Sequence, residues 1–499
     1  MTEMINVTPK AILPDADVGA RISVNIQWLM FGIYAVYVVI TFFIYELSSI
    51  GSPVCSDDCF EYIELMQASG GEFFHTLHTM FRPWAVPTFF SLFGAFDISS
   101  AARIVLSQTY IAFLSWLLFA YACQGMFATR ALKFVGFVAV SSLMFGQGYY
   151  HFNQFLLSDS LAMSSVLTQY ALVFLFPRFA RFCESVDRGK TYVVLYLAVI
   201  FIITAFEMAT RDANIMLGLS GIAFLVFANR KSAIGDQARW ILVMFVFVAA
   251  FGQSWAARMR HPVNARNILA GAVFANEDMR DFFSRHGMPA SFDVAAAKAK
   301  PQSLDAVDID QMNEVKVQMA NAEPGSEEAK FVSGVGGVYA MYFLTHPTYV
   351  TGNVARHWRL IFTQTMDLEA AIDRGASTKP SARNFVRPGE MTPFIAGAST
   401  RLSAADYIPP VVGAVLLALC ALPPLLRAGE MWSFVPLFLV AMGVTNAILG
   451  FFGDVWERSE MERHAFIGSM ILRLGLILCL LRLIEEARRL CAPVRPSAP

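Results

Sequence analysis

Two adjacent carboxylates, Asp57 and Asp58, lie in Gly51-Ser-Pro-Val-Cys-Ser-Asp-Asp-Cys-Phe-Glu-Tyr-Ile-Glu64, a dozen residues past the first long apolar run. An acid at a membrane–water boundary stays ionised and can take a proton from a hydroxyl or amine. The same two residues would also cap a helix starting at Cys59. Asp159 closes a second stretch, His151-Phe-Asn-Gln-Phe-Leu-Leu-Ser-Asp-Ser160, at the start of another apolar run. An acid just below the interface needs a partner, although Ser158 and Asp159 could equally serve as a helix cap. A third stretch, Glu207-Met-Ala-Thr-Arg-Asp-Ala-Asn214, carries Arg211 and Asp212. A guanidinium grips phosphate oxygens in pairs. The alternative is an ion pair of Arg211 with Asp212 or Glu207 that closes a tight turn. His346, in Tyr342-Phe-Leu-Thr-His-Pro347, is accompanied by Arg356-His-Trp-Arg359, and Arg463 and His464 end Glu457-Arg-Ser-Glu-Met-Glu-Arg-His464. These could reach a phosphate or form a solvated charged face.

The elements that must position these groups are apolar. The 499 residues are 56% hydrophobic and 15% charged, with mean hydropathy +0.51. A soluble domain carries roughly 25% charge, so the composition indicates an all-α polytopic membrane protein. Nearly charge-free runs of about 17–25 residues mark spanning helices. Ten stand out: Gln27–Tyr45, Ile104–Phe127, Phe134–Tyr150, Ser160–Phe176, Thr191–Phe206, Ala213–Asn229, Trp240–Ala257, Tyr407–Leu426, Met431–Gly453 and Ala465–Leu481. The loops carrying Arg130 and Lys133, Arg178 to Lys190, Arg230 to Arg239, Arg427 and the tail from Arg482 then share one side. The positive-inside rule makes that side cytoplasmic, with both termini inside.

This topology gives an N-terminal membrane module, residues 1–257, with a long first outer loop at 49–98. A mostly helical outer insertion follows at 258–406, then three helices within 407–485 and a cytoplasmic tail at 486–499. In the first loop, Glu72–Met80 reads as an interfacial helix that Arg82-Pro-Trp-Ala-Val-Pro87 breaks, and Phe89–Phe96 is too short to span. In the insertion, Ala295–Lys300 and Gln311–Ala322 read as helical. Gly336–Val350 reads as interfacial or re-entrant, ending at His346-Pro347. Arg473 is the one charge well inside a span, placed to snorkel or to pair with an acid. The first apolar run lacks a small-x-small cleavage site and reads as an uncleaved signal anchor.

Seven cysteines make no disulfide framework. Only Cys55 and Cys59 share a loop on the oxidising side, where a bridge and two free thiols are both open. No basic patch suggests nucleic acid, and no zinc signature, phosphate loop, Rossmann glycine pattern or nucleophile elbow occurs. His75 and His78 lie three apart and fit a polar interfacial face better than a metal site. The ionisable groups collect at the outer ends of helices: Asp58, Asp97, Arg103, Asp159, Glu207, Arg211 and Asp212. A transporter more often holds its coupling charges near mid-depth.

Ser56-Asp-Asp-Cys-Phe-Glu-Tyr62 followed by Arg82-Pro-Trp-Ala-Val-Pro87 resembles the first periplasmic loop of the GT-C superfamily of integral membrane glycosyltransferases, which includes protein mannosyltransferases. Ser158-Asp159 resembles that superfamily's second acidic motif, and Thr210-Arg-Asp212 its arginine turn. His346-Pro347 and Arg463-His464 are similar to its later elements. The resemblance implies transfer of a sugar from a polyprenyl-phosphate carrier to a periplasmic glycan, lipid or protein acceptor in a bacterial inner membrane. It places Asp58 as general base, with Cys59 where the family usually has Ser and with Asp57 as the competing base. It makes Asp159 a second acid for acceptor or metal, and Arg82, Arg211, Asp212, His346, Arg463 and His464 the groups around lipid phosphate. It fixes no cofactor, and a divalent metal ion is left open. The rival functions are a transporter or flippase of lipid-linked glycans, a glycan polymerase or ligase, and a membrane scaffold.

Overall fold

The computed structural model describes residues 29–44, 62, 83–94, 98–145, 153, 156, 158–211, 214–228, 236–256, 265, 268–274, 276–292, 323, 325–362, 434–453 and 458–491. Within them the secondary structure is helical throughout. Residues up to Leu47 form one unit and those from Ser48 a second. The first contains helix α1, Leu29–Ile44, which exposes Leu29, Phe31, Val36, Ile40 and Phe43.

In the second unit the apolar runs fold as helices because only a helix satisfies its own backbone polar groups away from water. The order is α2 (Ala85–Ser91), α3 (Ile98–Cys123), α4 (Arg130–Ser142), α5 (Asp159–Glu184), α6 (Gly189–Met208), α7 (Asn214–Ala228) and α8 (Asp236–Ala256). Then come α9 (Glu277–Arg285), α10 (Glu327–Thr345), α11 (Pro347–Phe362), α12 (Val435–Gly453) and α13 (Arg458–Cys491). Five of these, α3, α5, α6, α12 and α13, are long and apolar enough to cross a membrane. The chain is a multi-pass membrane protein. Of the ten expected spans, nine have helices among the described residues, and Tyr407–Leu426 lies outside them.

Several boundaries differ from the apolar runs. Helix α4 starts at Arg130, where the Thr129 hydroxyl accepts from the Leu132 N–H at 3.3 Å. It ends at Ser142 and tightens into a 3₁₀ turn at Leu143–Phe145. The Ser141 and Ser142 hydroxyls donate back to the Phe137 and Val138 carbonyls at 2.7 and 2.6 Å. At 13 residues this helix is shorter than a bilayer requires. Helix α13 has 34 residues and runs past its apolar stretch at both ends, because Arg, Glu and Met sustain a helix beyond the lipid. Arg473 within it donates to Met470 Sδ at 3.4 Å. The Arg82–Pro87 stretch, expected as a break, leads into α2, with Trp84 at the N-cap and Pro87 in the first turn, where proline is tolerated.

Helix α5 lies at the middle, packed against α3, α6 and α7, and its residues from Asp159 to Leu167 are all buried. Two glycines let α7 approach its neighbours: a Cβ on Gly221 would stand 2.7 Å from Gln169 Oε1 of α5, and one on Gly218 would stand 2.8 Å from the Met208 side chain of α6. Helices α12 and α13 cross on Gly443, Gly468 and Gly475, where added Cβ atoms would strike the backbone of the partner helix. The far end of α13 is pinned to the turn after α3. Arg482 Nη1 donates to Met126 O at 2.7 Å and to Glu485 Oε2 at 2.9 Å, while Glu485 Oε1 accepts from Ala128 N at 2.5 Å.

The insertion has its own core. Leu269, Val273, Met279, Phe283 and Phe292 pack against Phe331, Val335, Tyr339 and Tyr342 of α10. Helix α10 stops at Thr345, His346 caps it, and Pro347 opens α11 as its first residue. Ala295–Lys300, Gln311–Ala322 and Glu72–Met80 lie outside the described residues.

Candidate functional site

The N-terminus of α5 and the turn from α6 to α7 face each other. Asp159 is the first residue of α5, where the positive end of the helix dipole favours a carboxylate. Beside it, Ser160 Oγ donates to Asn153 Oδ1 at 2.5 Å, and both residues are fully buried. Across from it α6 ends at Met208. The Thr210 N–H and hydroxyl both donate to Glu207 O, at 3.1 and 2.6 Å, and the Asn214 N–H donates to Arg211 O at 3.0 Å. That tight turn carries Arg211 inward, where Nη1 donates to Asp159 Oδ1 at 2.5 Å. The two side chains are 7% and 0% exposed, so this is a buried ion pair. Removing one member would leave the other charge uncompensated in a low-dielectric setting.

The N-terminus of α2 reaches the same turn. The Ala85 N–H, one of the otherwise unbonded amides at the start of α2, donates to Ala209 O at 3.2 Å. Phe90 of α2 meets Tyr62 edge-on with ring centroids 5.9 Å apart, and Tyr62 is 1% exposed. Three segments distant in sequence therefore meet at this turn: the α2 N-terminus through Ala85, the α5 N-terminus through Asp159, and the α6–α7 turn itself through Ala209 and Arg211.

Of the residues singled out in the sequence, the structure brings Asp159 and Arg211 together. Arg211 meets Asp159, 52 residues away in the chain, while the Glu207 carboxylate takes no hydrogen bond from it. Glu207 instead points into the bundle and is fully buried. His346 is engaged elsewhere. Its Nδ1 lies 3.0 Å from Tyr342 O and 2.9 Å from Thr345 Oγ1, and its ring stacks on Tyr342 at 4.2 Å. Those contacts all belong to the insertion. Close by, burial pushes the Tyr349 hydroxyl up to about 12, with Tyr342 adding to the shift and Arg356 opposing it. Asp57, Asp58, Arg82 and Asp212 lie outside the described residues, as do Cys55, Cys59, His75 and His78. Arg463 and His464 fall in the first turns of α13, whose backbone alone is described there. Among the described residues, no group of three His, Cys, Asp or Glu side chains could hold a metal ion.

Sequence reading missed a polar seam below the pair. Gln169 Nε2 donates to Thr204 Oγ1 and Gly218 O, both at 2.9 Å, and Asn214 Nδ2 donates to Thr210 Oγ1 at 3.3 Å. Gln169, Thr204, Thr210 and Asn214 are all fully buried. The available signal was an uncharged amide inside an apolar run, which must find a partner.

No family model matches the chain, and no curated protein matches it. Among solved structures, it is similar to the archaeal oligosaccharyltransferase AglB from Archaeoglobus fulgidus, solved in complex with an inhibitory peptide and a dolichol-phosphate. The identity is 12% and the TM-score 0.39, over 90% of this chain and 49% of the other, so the chain spans about half the length of that protein.

Proposed function

We propose that this protein is a membrane glycosyltransferase that moves a sugar from a polyprenyl-phosphate carrier to a glycan, lipid or protein acceptor on the outer, periplasmic side of a bacterial inner membrane. The observation that carries this reading is the buried Arg211–Asp159 pair between two sequence-distant helix ends, with α2 bonded to the same turn at Ala209. Asp57 and Asp58 stand five and four positions before Tyr62 in the same loop, and they are the acids assigned here as the base.

In this scheme the acceptor hydroxyl or amine attacks the anomeric carbon while Asp58, or Asp57 beside it, takes its proton. The bond from that carbon to the phosphate oxygen breaks, and the lipid phosphate leaves with the electron pair and inversion at carbon. Arg211 stabilises the charge developing on that phosphate, and Asp159 holds the guanidinium in place. Arg82, Asp212, Arg463 and His464 are the further residues proposed to meet the lipid phosphate. His346, engaged in capping α10, is left out of this assignment.

The test compares lipid extracts of parental and deletion cells, and of deletion cells carrying Asp58→Asn, Asp57→Asn or both. Accumulated polyprenyl-phosphate sugar in the deletion and in at least one Asn strain is expected. Extracts indistinguishable from the parent in all three Asn strains would refute the assigned base.

One observation favours a second reading, a transporter or flippase of lipid-linked glycan. Gln108, Gln169, Glu207 and Asn446 are buried polar groups within otherwise apolar helices, as a translocation path would require. Purified protein in liposomes separates the two, because transfer changes the donor covalently and translocation leaves it intact.

A further inference from the structure

Helix α2 has 7 residues, far too few to cross a bilayer. Yet the stretch that holds it, Pro83-Trp-Ala-Val-Pro-Thr-Phe-Phe-Ser-Leu-Phe-Gly94, carries no charge. One face of the helix is covered: Ala85, Val86, Pro87 and Phe90 are buried. The other is open, with Leu92 76% and Trp84 39% exposed. Phe89 and Phe93, half-buried, meet edge to face at 5.4 Å beside them. The two hydroxyls of the helix are already satisfied by its own backbone. Thr88 Oγ1 donates to Trp84 O and Ser91 Oγ to Thr88 O, each at 2.7 Å. Nothing on the open face therefore calls for water.

Two tethers fix the depth of α2. At its start, the Ala85 N–H donates to the carbonyl of Ala209, the residue that follows the last of α6. Just past its end, the Phe93 carbonyl accepts from Arg103 Nη2 at 3.4 Å. Arg103 belongs to the N-terminal end of α3, and its Nε donates to Ser99 O at 3.3 Å, so the side chain runs back toward the start of that helix. Helices α3 and α6 are both long and apolar enough to cross a membrane. Ala85 and Phe93 are separated by only about 12 Å of helical rise. The short helix is therefore tied at both ends to neighbouring ends of two spanning helices, and it runs along the membrane surface rather than through it. At that level an indole is favoured, and a helix with one apolar face lies in the interfacial plane.

We propose that the open face of α2 docks on the lipid bilayer, with Trp84 and Leu92 inserted between the headgroups and upper acyl chains of one leaflet. Lipid, and not a second protein, covers this face. Through the bond from Ala85 to Ala209 the docked helix seats the turn that carries Arg211 at headgroup level. The inference stands independently of either reading of the function.

The experiment places the full-length protein in phosphatidylcholine liposomes and isolates the emission of Trp84 as the difference between the parent and Trp84→Phe. Lipid brominated on its upper acyl carbons should quench that component more strongly than iodide present on both sides of the membrane, and its maximum should lie to the blue of tryptophan in water. In a second arm p-benzoylphenylalanine replaces Leu92, an exposed position that tolerates the larger ring, and is photolysed in the same liposomes. A phospholipid adduct is expected by mass spectrometry. If Trp84→Phe fails to fold, the crosslink at position 92 decides the matter. Quenching by iodide but not by brominated lipid, protection from both quenchers, absence of a lipid adduct, or a crosslink to a second copy of the chain would overturn the proposal.

Discussion

Cutting the Asp159–Arg211 pair from one side should be far more damaging than replacing it whole. The side chains are 0% and 7% exposed and meet at 2.5 Å. An exposed pair is worth only about 0–1 kcal/mol. Here Asp159→Leu leaves a buried guanidinium and Arg211→Met leaves a buried carboxylate, each costing about 3–5 kcal/mol. Asp159→Leu with Arg211→Met replaces both charges by apolar groups of similar volume, a change that is often near neutral or stabilising for a buried pair. The double variant should therefore fall within about 2 kcal/mol of the parent, although independent effects would sum to roughly 6–10 kcal/mol. The assay is reversible denaturant unfolding in mixed micelles, read by fluorescence for all four proteins. Single losses that add to within about 0.5 kcal/mol in the double variant would refute the pairing. The double variant also separates fold from function: it should be folded and inactive in sugar transfer.

Gly443→Leu should force α12 away from α13, because its side chain would enter the backbone at Leu472. A loss of at least about 1–3 kcal/mol, measured by thermal unfolding in detergent, is expected for such overpacking. The insertion should respond to alkali. An unfolded tyrosine ionises near 10, while Tyr349 does so only at about 12 when folded. Its contribution to stability is therefore complete below the unfolded value and declines as pH rises through that window. Tyr349→Phe should flatten the decline, followed by tyrosinate absorbance and unfolding at stepped pH; an unchanged profile would contradict it.

The helices were legible where lipid dictates composition. Residues at the core of α3, α5, α6 and α7 fall inside the apolar runs at 104–127, 160–176, 191–206 and 213–229. Their ends were less legible, because charge marks where lipid stops and hydrogen bonding marks where the helix stops. At α13 the helix runs on through Arg482, Glu485 and Glu486, which form ion pairs along it. At α4 two serines end it early. Asp159 and Arg211 were each visible as ionisable groups at helix ends, but their pairing was not. Local spacing offers Glu207 and Asp212 as partners, and only the packing of α5 against α6 and α7 brings Asp159 to the guanidinium. The seam of Gln169, Thr204 and Asn214 escaped for a related reason. Single amides barely disturb an apolar run, and their meaning depends on which helix they face.

The most direct measurement of the central claim is the affinity of purified protein for polyprenyl phosphate, parent against Arg211→Lys. Lysine keeps the charge opposite Asp159 but loses the planar fork that grips phosphate. A charge-assisted hydrogen bond contributes about 1.5–3 kcal/mol, so affinity should fall by roughly 10- to 150-fold while the unfolding transition stays cooperative. Equal affinity in a folded Arg211→Lys protein would contradict the claim that this buried guanidinium holds the lipid phosphate.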